Sequence, residues 1–390
     1  MSEIKNVVVI GAGLMGSGIA QVSIQAGYHV TLVDIKEEFI EKGLKGILKG
    51  LTRLEEKGKL KEGTTAQVLV NSIKKTTDIA EAVKDANIVV EAVIENLKIK
   101  QDVFQKCDAN APAHCLLASN TSSMSITKIA EATKRPEKCL GIHFFNPVPL
   151  MKLVEVIKGE KTTDSTLEAA KKWAESLPCR GSRYVPYVLK DRPGFIANRM
   201  IAPGFILMNW AFEEAVKRGI SWEALNADTL KEGIPMGYLE LGDYVGHDTY
   251  LHINNYYAQT LSEDFKPGPF YMKMVEEKKL GRKTGMGFFD WSQGRPKLSL
   301  EPKANLVSAE LLDAIEANEG CRLLEEGVVN QWHVIDETMM AGFNRAGVMH
   351  EAVEKYEKWA QMLEEIAEKI NKPYLKPCEM LKSGKFVDLK

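Results

Sequence analysis

Four β-branched residues, Val7-Val8-Val9-Ile10, run directly into Gly11-Ala12-Gly13-Leu14-Met15-Gly16. The string G-x-G-x-x-G is a weak signal by itself. Here a buried-strand pattern precedes it and a helical pattern, Ile19-Ala20-Gln21-Val22, follows it. That context predicts the first βαβ turn of a dinucleotide-binding Rossmann unit. Gly11 permits the tight turn, Gly13 lets backbone approach a pyrophosphate, and Gly16 lets helix and strand pack closely. Leu14 and Met15 open the helix, whose free N–H groups and positive dipole end suit phosphates. A second strand pattern, Val30-Thr31-Leu32-Val33, ends at Asp34, 18 residues after Gly16. A carboxylate there accepts hydrogen bonds from ribose hydroxyls and repels a 2′-phosphate. Such charged hydrogen bonds are worth roughly 1.5–3 kcal/mol, so NAD is expected over NADP by one or two orders of magnitude.

The rest of the chain sorts into an α/β part and a helical part. Strand patterns at residues 88–93 and 115–119 alternate with helical ones, including a lysine-rich helix reaching about residue 59, and imply a parallel sheet. At Lys190-Asp191-Arg192-Pro193-Gly194 the chemistry turns to that of a boundary, and the pattern beyond is helical, with amphipathic stretches near 196–218 and 305–328. Residues 279–302 are richer in Gly, Lys and Pro and read as a link within the helical half.

That half also carries a faint repeat: Ala211-Phe212-Glu213-Glu214-Ala215-Val216 resembles Leu323-Leu324-Glu325-Glu326-Gly327-Val328. Short turns containing Trp222 or Trp332 follow, and then glycine-containing segments around Gly233 and Gly342. The expected fold is therefore an α/β Rossmann domain over 1–189, a helical domain over 190–300, and a second helical domain over 301–390 that repeats the first.

Charge narrows the function. With 51 Lys+Arg against 53 Asp+Glu, the chain lacks the basic excess of a nucleic-acid surface. The N-terminal apolar run is broken by glycines within seven residues of its start, so neither a signal peptide nor a membrane span is expected, and the cytoplasm is the simplest location. Cysteines at 107, 115, 139, 179, 321 and 378 include no C-x-x-C pair. They read as core thiols in a reducing compartment, and no metal site is expected.

Two constellations remain. Lys42, Lys45, Lys49 and Arg53 fall on one face of the lysine-rich helix. The pattern alone fits a solvated face better than a cradle for a polyanionic ligand. His143 lies in an apolar segment, and Glu155 lies inside Leu153-Val154-Glu155-Val156-Ile157. A buried carboxylate needs a partner, and the turn Asn146-Pro147-Val148-Pro149 can bring the two segments side by side. Glu155 would then fix the imidazole tautomer and let His143 serve as general base; a satisfied core histidine is an equally good account of these residues alone. Ser119-Asn120-Thr121-Ser122-Ser123 follows a strand's carboxyl end, where α/β folds bind ligands, or is an ordinary helix cap.

Taken together, these strings resemble the L-3-hydroxyacyl-CoA dehydrogenase family over residues 5 to about 290. The likeness lies in Ser119-Asn120-Thr121-Ser122-Ser123, His143-Phe144-Phe145-Asn146-Pro147, Met151-Lys152-Leu153-Val154-Glu155-Val156, Pro193-Gly194-Phe195-Ile196-Ala197-Asn198-Arg199 and Gly281-Arg282-Lys283-Thr284-Gly285-Met286-Gly287-Phe288. The resemblance implies NAD-dependent, reversible oxidation of a (S)-3-hydroxyacyl-CoA such as 3-hydroxybutyryl-CoA. His143 would act as base, Glu155 would hold it, and Ser122 and Asn198 would position the substrate oxygen. Glu95, Lys100, Asn120 and Asn146 match family positions near NAD. The family binds CoA near the basic helix, which makes Lys42, Lys45, Lys49 and Arg53 candidate substrate contacts.

Two features depart from the family. The stretch Cys179-Arg180-Gly181-Ser182-Arg183-Tyr184-Val185-Pro186-Tyr187 is longer than the family pattern, and about a hundred residues follow residue 290. The extra piece resembles the doubled C-terminal domain of large β-oxidation enzymes. It implies a monomer whose second helical domain replaces a partner's, with a homodimer as the alternative. A superfamily enzyme acting on a free hydroxyacid or sugar acid, of the L-gulonate type, and a non-enzymatic NAD(H) binder are the competing functions.

Overall fold

A computed structural model describes residues 3–231 and 235–390 of the chain. The chain forms two compact units, Met1–Phe195 with Ala341–Phe343, and Ile196–Met340 with Asn344–Lys390. No helix among the described residues is long and apolar enough to cross a membrane.

The first unit is built on one sheet of eight strands: β1 (Asn6–Ile10), β2 (His29–Val33), β3 (Lys74–Thr76), β4 (Ile88–Glu91), β5 (Leu116–Ser119), β6 (Cys139–Phe144), β7 (Val154–Ile157) and β8 (Tyr187–Val188). Their order is β3-β2-β1-β4-β5-β6-β7-β8. The pairs are parallel except β6 with β7. The first six strands follow the doubly wound order, which reverses between β1 and β4 and opens a crevice there. Because side chains alternate along a strand, Val7 and Val9 enter one hydrophobic layer while Val8 and Ile10 enter the other. This two-sided burial is why β1 reads as a continuous β-branched run.

Three expected boundaries move. The lysine-rich helix, Glu37–Glu55, stops short of residue 59: Gly58 takes φ +61° and Lys59 N–H closes back on the Leu54 carbonyl, a left-handed stop. The strand expected over 88–93 ends at Glu91, because the Ala92 carbonyl turns against the glycine loop, where a Cβ on Gly11 would lie 2.5 Å from its oxygen. The first unit runs to Phe195 rather than 189.

The second unit is helical. Residues on both sides of 300 fall in it, since the Ala309–Glu325 helix packs on Ala197–Ile201 and Gly204–Arg218. The glycine-rich stretch from 279 is not a plain link. Buried Asp243 accepts the backbone N–H of Phe288 and Phe289 and the indole N–H of Trp291, each at 2.9 Å, and so folds that stretch onto the helix Tyr238–Val245.

The two helical halves share a capping scheme. Asn226 accepts N–H bonds from Leu239 and Glu240 at 3.1 Å. Asp336, 110 residues on, accepts them from Met349 and His350 at 2.9 Å, each also 110 residues on. Asn209 accepts from Gly268 N–H, and Asn318 from Cys378 N–H, both at 2.8 Å. The sequence reading put Trp222 and Trp332 in short turns; instead each opens a helix, Trp222–Asp228 and Trp332–Phe343. The matching glycines are Gly237 and Gly347, where a Cβ would lie 2.3 Å and 2.0 Å from the capping oxygen of Asn226 and Asp336. Gly342 is instead helical, and Gly233 lies outside the described residues.

Candidate active site

At the crevice between β1 and β4, Gly11 has φ +105° and donates its N–H to the Val33 carbonyl. A Cβ on Gly16 would lie 1.7 Å from the Gly11 oxygen, so the turn and its helix can meet only through glycine. A Cβ on Gly13 would meet nothing within 4 Å, which leaves open space where a phosphate would approach. A cavity of about 1210 Å³ begins here, lined by Gly11, Gly13, Leu14, Asp34, Lys42 and Asn146 among others. Leu14 is 74% exposed, whereas Met15 packs against the hydrophobic core and does not line the cavity. Asp34 accepts the Ala12 and Ile35 N–H groups, one on each carboxylate oxygen, at 2.7 Å. A carboxylate offers about four acceptor positions, so this one both ties the turn and keeps capacity for ribose hydroxyls.

The basic helix reaches the same cavity through Lys42. Lys45, Lys49 and Arg53 continue its exposed face, while Ile40, Gly43, Ile47 and Leu51 are buried on the other.

On the far strands, β6 and β7 pair so that His143 stands directly opposite Glu155. The imidazole Nδ1 lies 2.7 Å from Glu155 Oε2, and both residues are buried. The carboxylate can only accept, so Nδ1 carries a proton, and in the neutral ring the lone pair is left on Nε2. Phe145 and Phe195 wall the ring at centroid distances of 4.4 and 5.6 Å. Phe195 is fully buried at φ 55°, a costly backbone conformation for a bulky side chain. The segment 193–199 carries the family likeness, yet nothing in its residue pattern marked Phe195 as a wall of this histidine.

The loops after β4 and β5 form a third cluster. Thr121 Oγ1, Ser122 N–H and Ser122 Oγ reach Glu95 Oε1 at 2.9, 3.0 and 3.4 Å. Asn120 Oδ1 accepts the Phe144 N–H at 3.0 Å, tying this loop to the strand that carries His143. Lys100 is 1% exposed and bonds Glu91 at 2.8 Å and Glu95 at 3.1 Å. Neither Lys100 nor Glu95 is in the cavity lining; Lys100 meets it through the carbonyl of Val93, a lining residue, at 3.5 Å. Glu91, buried at the end of β4, was missed as a site residue; it also accepts from Ser119 Oγ at 2.6 Å. The signal was a carboxylate closing a β-branched run, which needs a buried cation. Asn198, the remaining expected site residue, lies in the second unit, in the short helix Ala197–Ile201.

A reversed strand order, a glycine turn at the switch point and a carboxylate after the second strand define a Rossmann dinucleotide-binding unit. Residues 6–181 match the 3-hydroxyacyl-CoA dehydrogenase NAD-binding domain, and residues 194–291 match the C-terminal domain of the same family. The mitochondrial hydroxyacyl-coenzyme A dehydrogenase of Sus scrofa is 42% identical over 297 residues, 74% of this chain and 91% of that protein. A probable 3-hydroxybutyryl-CoA dehydrogenase of Deinococcus radiodurans is 41% identical over 286 residues, 73% of this chain and 99% of that protein. The crystal structure of 3-hydroxybutyryl-CoA dehydrogenase from Escherichia coli K12 superposes with TM-score 0.85 at 25% identity, covering 100% of this chain and 99% of that one. The chain belongs to the 3-hydroxyacyl-CoA dehydrogenase family and carries that family's NAD-binding domain.

Proposed function

We propose that the protein catalyses the reversible oxidation of (S)-3-hydroxyacyl-CoA, with 3-hydroxybutyryl-CoA as the favoured substrate, to the 3-ketoacyl-CoA. The observation that carries this reading is the buried His143–Glu155 pair set opposite one another across β6 and β7. Names of relatives in Deinococcus radiodurans and Escherichia coli support the four-carbon acyl chain.

Gly11, Gly13 and Gly16 would hold the pyrophosphate of NAD against the helix start, and Asp34 would hold its ribose. NAD held there would supply the hydride acceptor for C3. His143 Nε2 accepts the proton of the 3-hydroxyl as that bond breaks. Glu155 keeps the lone pair on Nε2 and stabilises the imidazolium that forms. In the reverse direction the imidazolium returns the proton to the ketone oxygen. Ser122, held by Glu95, and Asn198 position that oxygen. Glu95 and Lys100 serve by fixing the Ser122 loop, and Asn120 and Asn146 border the dinucleotide. The CoA phosphates lie along Lys42, Lys45, Lys49 and Arg53.

The repeated capping scheme supports a duplicated helical domain. The second copy then replaces a partner's domain, and light scattering on the full chain should give a mass near 43.5 kDa; a stable dimer would overturn this part.

His143→Ala tests the chemistry. General-base catalysis is worth roughly 10²–10⁴-fold, so kcat should fall by about that factor while NADH affinity is kept. Activity within about threefold of wild type would refute the assignment.

A further inference from the structure

Asn198 sits in a helix of five residues, Ala197–Ile201. Isolated helices shorter than roughly 12–15 residues are marginal in water, so tertiary contacts must set how this one is turned. Its neighbour Arg199 makes them. The guanidinium is 1% exposed and gripped by two carboxylates: Glu319 bonds Nε, and Glu326 Oε1 bonds Nη2 at 2.7 Å. Glu319 lies in the Ala309–Glu325 helix and Glu326 is its C-cap.

Glu319 is fully buried and fixed in its turn. Arg322 Nη1 reaches its Oε2 at 3.0 Å, and the Tyr374 hydroxyl donates to its Oε1 at 2.9 Å. Arg322 is anchored on the Tyr374 and Lys376 carbonyls at 2.7 and 2.8 Å and lies 4.4 Å over the Tyr374 ring. Two arginines and two glutamates thus close a balanced network. Burial by itself would push the Glu319 carboxyl up, but Arg199 and Arg322 outweigh it and hold it below the ordinary carboxylate range.

We propose that Glu319, acting through Arg199, is a positioning residue for Asn198: the C-terminal hundred residues set the angle at which this side chain meets the substrate oxygen. The inference rests on the reading that Asn198 touches substrate. Both carboxylates on Arg199 come from beyond residue 291, where the match to the family's C-terminal domain ends. The Deinococcus radiodurans relative is 99% covered by only 73% of this chain, so it does without this segment. Successive helical residues are about 100° apart, so a planar fork clamped at Arg199 also fixes the direction of Asn198. A displacement of about 1 Å at such a group can cost on the order of 10²-fold in rate.

The test is a double-mutant cycle on the full chain. N198A, E319Q and the double variant are assayed for kcat and KM with acetoacetyl-CoA and NADH; NADH affinity and a cooperative melt serve as controls for folding. E319Q should lower kcat by about 10–10²-fold with NADH affinity unchanged. In the N198A background the same change should cost less than about threefold. R199K, which keeps the charge and loses the fork, should behave as E319Q does. A full loss from E319Q in the N198A background, or no loss from E319Q alone, would overturn the inference. Wild-type kcat in N198A would instead refute the role of Asn198 itself, and the inference with it. If E319Q does not melt cooperatively, E326Q takes its place in the cycle, since Glu326 is 30% exposed and its neutral form is easier to accommodate.

Discussion

Each unit buries one cation between two carboxylates, and the two arrangements differ in reach. Lys100 finds Glu91 and Glu95 nine and five residues away, inside a single strand–loop–helix segment. Arg199 finds Glu319 and Glu326 at 120 and 127 residues. The local tie forms with the βα unit that contains it and orders the loop of Ser122. The distant tie exists only when the C-terminal helices have folded onto Ala197–Ile201, and it couples that folding to the angle of Asn198. The same physical device therefore serves two purposes, one settled within a motif and the other dependent on the whole helical unit.

Removing the cations should separate the two. R199M leaves Glu319 and Glu326 without their shared partner, and breaking a buried pair costs about 3–5 kcal/mol. Urea unfolding should show that loss in the helical unit, with NADH affinity retained. K100M should cost a similar amount, because each fully buried carboxylate keeps other bonds, Glu91 from Ser119 Oγ and Val93 N–H and Glu319 from Arg322 and Tyr374, and Glu95 and Glu326 are each 30% exposed. Its effect should fall on the Ser122 loop, as lowered kcat. If R199M weakened NADH affinity, or K100M unfolded the helical unit, the contrast between local and distant ties would fail.

A smaller effect follows from pH. Arg199 and Arg322 hold the folded-state pKa of Glu319 below its unfolded value, so the stability it contributes is present above the unfolded pKa and lost as pH falls through the folded one. E319Q lacks this contribution at every pH. The stability gap between wild type and E319Q should be full at neutral pH and shrink as acidification passes the unfolded and then the lowered folded pKa, as read from urea midpoints at each pH. Buried Glu316 has the opposite sign: burial raises its carboxyl despite Arg345. Comparing wild type with E319Q cancels that second contribution. A gap that grows on acidification would contradict the assignment.

Legibility in the sequence follows the same division. The glycine turn, Asp34 and the pairing of His143 with Glu155 were readable because each rests on short spacing and a two-residue strand period. The stop at Gly58 and the end of β4 at Glu91 were not, since both depend on how loops meet in space. Lys100 was legible as a position but not in its surroundings: a cation buried against Glu91 and Glu95 looks, in sequence, like one more lysine on a polar helix. The Arg199 network left no local trace, because its partners lie more than a hundred residues away. The glutamates and tryptophans of the expected repeat were legible, yet its glycine register was misjudged, since the shared capping geometry pairs Gly237 with Gly347.

The most direct test of the account is the rate of NADH oxidation, followed by its absorbance, with acetoacetyl-CoA as substrate and with free acetoacetate and NADPH as controls. The account predicts turnover with acetoacetyl-CoA and NADH, and little with either control, since on the proposed reading Asp34 would repel a 2′-phosphate and the CoA handle would bind along the basic helix. Turnover of free acetoacetate comparable to that of the thioester, or NADH binding with no turnover at all, would contradict it.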